Sequence, residues 1–92
     1  MKTKHLHDMV VEAIIKRGAI ETEATSRKYR KFHHPSGGGE FYFVGKNGAL
    51  RRGRSATNSV SLERGEFYRG ILRAYHDQLP SKEAELPSSE RD

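Results

Sequence analysis

The sequence predicts a small α+β domain of order α-β-β-β-α, a three-stranded antiparallel sheet with both helices packed on one face. Three observations carry this. Apolar residues recur at helical spacing near both ends of the chain, the middle switches to strand-like runs, and two glycine-bearing turns, PSGGG and GKNG, cut that middle. With 92 residues, 34% hydrophobic composition and no Trp, the core must be small and a deep substrate cavity is not expected. The expected organisation is one domain over residues 1–79 and a disordered acidic tail over 80–92.

The first helix is expected from Lys4 to Arg17. Leu6, Met9, Val10, Ala13 and Ile14 make one apolar stripe, Thr3 is the N-cap candidate, and Gly18 stands where a helix-ending glycine belongs. Residues 19–26 read as an irregular connection or a short edge strand. Three strands follow: RKYRKFHH (27–34), EFYFV (40–44) and Ala49 to Arg54. Asn47-Gly48 between the last two is a favoured pair for a two-residue hairpin turn. On this basis Phe32, Phe41, Phe43 and Leu50 should face the helices, and Tyr29, Lys31, His33, Tyr42 and Arg51 the open side. SATNSVS (55–61) reads as a polar loop. Ser61 is the candidate cap of a second helix, Leu62 to Leu79, with apolar face Phe67, Ile71, Leu72, Tyr75 and Leu79, ended by Pro80. Gly65 and Gly70 weaken that helix, or make its first turn irregular.

Charge gives the functional lead. The net charge is +5, but from Arg27 to Arg54 there are eight basic residues and one acid, Glu40. The tail sets Lys82 and Arg91 against Glu83, Glu85, Glu90 and Asp92. Such asymmetry points to a polyanionic partner. Arg27, Lys28, Arg30, Lys31, Lys46, Arg51, Arg52 and Arg54 are the candidate phosphate or base-edge contacts, and Tyr29 and Tyr42 the candidate stacking rings. Nucleic acid, DNA or RNA, is therefore the expected partner; an acidic protein or nucleoprotein surface is the alternative.

Other chemistries fit less well. Gly48 to Ser55 has the spacing of a phosphate-binding loop, but with Arg where that loop has Lys, and no strand-to-helix context is expected there. Without cysteine there is no thiolate metal site, and neither His33-His34 nor His5 with His7 converges, so no metal or cofactor is implied. His33 or His34 beside arginines is the candidate for general acid/base work on an RNA phosphodiester. No second catalytic group is evident, so a non-catalytic protein is the expectation. The N-terminal MKTKHLHDMVVEAIIKRG has no apolar run longer than three residues, so neither a secretory leader nor a membrane span is expected, and a cytoplasmic protein is the default. An open strand edge leaves monomer and homodimer both in view.

The stretches FHHPSGGGEFYF and RGEFYRGILRAY, within an α-β-β-β-α order over residues 5–76, resemble the double-stranded-RNA-binding fold and the HicA-type mRNA interferase toxins that share it. The toxin resemblance implies a metal-independent ribonuclease using His33 or His34. The segment from Lys28 to His76 also resembles three-stranded-sheet DNA-binding domains, such as integrase arm-binding and plant AP2-type domains. That resemblance implies a sheet in the major groove, with Arg30, Arg51, Arg52 and Arg54 as its contacts.

Overall fold

The computed structural model describes residues 3–24 and 26–78. The α+β class holds, but the sheet has five strands rather than three. The order is α1 (Leu6–Lys16), β1 (Ile20–Thr22), β2 (Tyr29–His33), β3 (Phe41–Gly45), β4 (Leu50–Gly53), β5 (Ser59–Ser61) and α2 (Glu66–Asp77). The strands form an antiparallel meander in chain order. The additional strands are both edges of three residues, too short to show a period of two in the sequence. The expected helix end at Leu79 and the tail 80–92 lie outside the described residues.

Helix α1 begins two residues later than Thr3 would place it. Its N-cap is His5, which makes no side-chain cap, while Lys4 is held by the Gln78 side chain through bonds of 3.2 and 2.7 Å. Its C-terminus follows the expectation. Gly18 at φ +107° donates to Ile15 O and Ala19 to Ile14 O, which Arg17 N–H also reaches, so the last carbonyls of the helix are satisfied and the chain turns back to the sheet. Helix α2 starts at Glu66 with Gly65 as its N-cap, instead of at Leu62 with Ser61 as its cap. Ser61 belongs to β5, and its hydroxyl accepts the Glu63 N–H in a local turn.

The core lies between one sheet face and the two helices. Val10, Val11 and Ile14 of α1, Tyr68 and Ile71 of α2, and Phe32, Tyr42, Val44 and Leu50 of the sheet form it, with Ala19 at its margin. Each ring buried as fully as Phe32 contributes about 1.5–3 kcal/mol. Val11 and Tyr68 were not expected in the core. Tyr68 donates from its hydroxyl to Gly48 O at 2.6 Å, tying α2 to the β3–β4 turn. Tyr68→Phe should cost about 1–3 kcal/mol in chemical denaturation, because the buried carbonyl loses its partner.

The β3–β4 turn sets the faces of the sheet. Gly48 N–H donates to Gly45 O at 3.0 Å and Gly45 N–H to Ala49 O at 2.8 Å, with Gly48 at φ +97°. The loop is thus three residues, Lys46-Asn47-Gly48, ending in a left-handed glycine, not a two-residue Asn-Gly turn. The resulting register pairs Val44 with Leu50, Phe43 with Arg51 and Tyr42 with Arg52. A two-residue turn would have shifted this by one and inverted β3 relative to β4. The expected split is therefore corrected on β3 alone. Tyr42, at 4% exposure, faces the helices, while Phe41 and Phe43 lie on the open side. Phe32 and Leu50 face the helices and Tyr29, Lys31, His33 and Arg51 the open side, as expected.

Candidate functional site

The open face carries Ile20 and Thr22 on β1, Tyr29, Lys31 and His33 on β2, Phe41 and Phe43 on β3, Arg51 on β4, and Ser59 and Ser61 on β5. No carboxylate occupies any strand position on this side. Phe43 is only 2% exposed although no helix covers it. Its own neighbours do so: Tyr29 meets it edge-on at 6.4 Å, Phe41 lies at 6.3 Å, and Lys31 and Arg51 pair with it across the strands. Phe43 therefore supports a half-buried upper layer of Tyr29, Lys31, Phe41 and Arg51.

That upper layer is ordered. Lys31 Nζ stands 4.2 Å from the Phe41 ring centroid, a cation–π contact, and His33 lies tilted against Phe41 at 5.1 Å. Arg51 donates from Nε to Ser59 Oγ at 2.8 Å and from Nη2 to Ser59 O at 2.7 Å. These bonds fix the guanidinium plane without neutralising it, and its remaining N–H groups are free to take further acceptors.

The two faces treat their cations differently. On the helix side, Arg30 is paired with Glu21 at 2.6 Å and Arg52 with Glu40 at 2.6 Å. The hydrogen-bonded guanidinium of Arg30 holds Glu21 below the usual carboxylate range, and Arg52 does the same to Glu40. On the open side, neither Lys31 nor Arg51 has a carboxylate partner among the described residues. Arg30 and Arg52, expected among the binding residues, are thus set on the other face, each beside a carboxylate, while Tyr42 is in the core.

At the turn end of the sheet, Arg27, Lys28 and Lys46 surround Tyr29, Asn47 and Ala49 in an open cleft of about 530 Å³. All three cations are exposed. At the other end, exposed Arg54 follows β4. The phosphate-loop spacing of Gly48 to Ser55 falls on β4 and leads into another strand, so that motif's helix is missing. His33 and His34 lie on opposite sides. His33 is on the open face, and His34 lies 4.8 Å from Tyr42 on the helix side, with Nδ1 accepting the Ser36 N–H at 3.0 Å.

Phe41 and Phe43 are the open-face residues that sequence reasoning misplaced. Because EFYFV is apolar at both parities, only the length of the following turn reveals which pair points outward. Among the described residues no group of His, Asp or Glu could hold a metal ion, and no helix is long and apolar enough to cross a membrane. No family model, curated protein or solved structure matches the chain.

Proposed function

We propose that this protein binds nucleic acid on the open face of its sheet, and that it takes single strands by stacking bases on that face. The observation that carries the reading is the sorting of charge. Carboxylates accompany the strand arginines on the helix side, whereas the open side combines Lys31, Arg51, His33 and three aromatic rings with no acid. A cationic surface supplies sequence-independent affinity for phosphates, and the half-exposed rings of Tyr29 and Phe41 supply the stacking platform over Phe43. Arg27, Lys28 and Lys46 extend the track around the turn and Arg54 extends it at the opposite end. A duplex-groove mode remains the competing geometry, and tighter binding of duplex DNA than of single strands would select it.

The stacking component has its own test. Tyr29 is half-buried and backed by Phe43, which makes it the best-supported ring. Tyr29→Ala should weaken binding of a single-stranded oligonucleotide by about 1–3 kcal/mol in fluorescence anisotropy, and Tyr29→Phe should retain most of it. Equal losses in both variants would show the hydroxyl, not the ring face, to be the contact.

A further inference from the structure

On the helix side of the sheet, at the end away from the Gly45–Gly48 turn, a second cleft of about 590 Å³ is lined by Arg17, His34, Pro35, Arg52 and Phe67 over a floor of Tyr42. It differs from the open face in being recessed beneath α2 and in mixing flat rings with cations. A cleft of this size that sets flat rings beside cations suits a small anionic organic ligand.

Its charged groups converge from three elements. Arg17, at the C-terminal end of α1, lays its guanidinium 4.3 Å from the Phe67 ring centroid and has no carboxylate partner among the described residues. Arg52 on β4 places both its Nε and one terminal nitrogen on a single oxygen of Glu40, at 2.8 and 2.6 Å, which leaves its other terminal nitrogen for a further acceptor. His34 is fixed by Ser36, whose N–H donates to Nδ1, so the neutral ring carries its proton on Nε2. Burial, Arg52 and Arg17 lower the His34 pKa, and Glu40 opposes them. The imidazole therefore sits among cations that an incoming anion would offset.

We propose that this cleft is a mononucleotide-type site, with the phosphate held by Arg17, Arg52 and His34 and the base lying against His34, Pro35 and Phe67. The proposal does not depend on the open-face reading, since none of these side chains lies on that face. With Nδ1 held by the Ser36 N–H, the Nε2–H of the neutral ring is the donor to the phosphate, and Arg17 and Arg52 supply the charge, with Glu40 and Tyr42 as the other surrounding polar groups.

The test is a titration of the full chain with a nucleoside monophosphate, with inorganic phosphate and with a 5′-phosphorylated trinucleotide at constant ionic strength, read by NMR on the His34 and Phe67 rings. Saturable shifts of both rings are expected, tighter for the nucleotide than for inorganic phosphate. Arg17→Ala should weaken nucleotide binding about tenfold or more, whereas replacing the exposed Arg73 of α2 by alanine should leave it unchanged. Arg17 is exposed, so its removal spares the core. Tighter binding of the trinucleotide assigns the cleft to a strand end, and equal binding assigns it to a free nucleotide. Absence of saturable shifts, equal affinity for inorganic phosphate and nucleotide, or an Arg17→Ala variant that binds as well as the parent overturns the proposal.

Discussion

Replacing Lys31 and Arg51 together by alanine should flatten the salt dependence of oligonucleotide binding. Each cation that neutralises a phosphate on a single strand contributes about 0.7 to the slope of log affinity against log salt, so removing both lowers it by roughly one and a half. The loss in affinity should be large at low salt and small at high salt, because what disappears is counterion release rather than a base-specific bond. The comparison that gives this meaning is the neutral removal of Glu21 with Arg30, an ion pair of 2.6 Å on the other side of the sheet. That double variant should leave the slope where it was. A slope that falls equally in both would mean that Arg30 on the helix side contacts phosphates as much as the open face does.

Substituting Gly48 by alanine should produce the largest change in stability of any single methyl added to this chain's turns. Two independent costs meet at this residue. Its φ of +97° lies in the left-handed region, where a side chain costs about 1–2 kcal/mol. A Cβ there would also stand 2.6 Å from Leu6 Cγ, and forcing such a contact in a packed core costs about 1–3 kcal/mol. The Gly48 carbonyl accepts the Tyr68 hydroxyl as well, so any shift of the turn strains the link to α2. Summed, Gly48→Ala should lose about 2–5 kcal/mol in urea denaturation. Relief of the strain by a slip to the two-residue turn would invert β3, and Phe41 and Phe43 would exchange places with Tyr42 and Val44. A near-neutral substitution would contradict the three-residue loop.

The turn also explains where the sequence was legible and where it was not. Helical spacing located both helices, and Gly18 marked the end of the first, because those signals are local. The sheet faces of β2 and β4 could be read from Phe32, an apolar residue between Lys31 and His33, and from Leu50, the one large apolar residue of its strand. Strand β3 could not, since Phe41, Tyr42, Phe43 and Val44 are apolar at both parities and their orientation depends on a single residue of loop length. Edge strand β5 was hidden for a related reason: Ser59-Val60-Ser61 looks like loop until a neighbouring strand supplies its hydrogen bonds, whereas β1 lies in the segment 19–26, where a short edge strand is one of the two readings. Site residues followed the same division. The basic cluster was visible as composition, but its separation into paired cations (Arg30, Arg52) and cations without acid partners (Lys31, Arg51) follows from the strand pairing. Arg17 lies outside the cluster in sequence and reaches its cleft only through the fold.

The most direct measurement for the open-face account is a backbone-amide NMR titration with a short single-stranded oligonucleotide at low salt. The account predicts that the perturbed amides are those of Tyr29, Lys31, His33, Phe41, Phe43, Arg51 and the Lys46-Asn47 turn, while the outer faces of α1 and α2 stay still. Absence of binding to single strands and duplexes alike would contradict it and would leave the Lys31–Arg51 face to an acidic protein partner; so would perturbations confined to the helices.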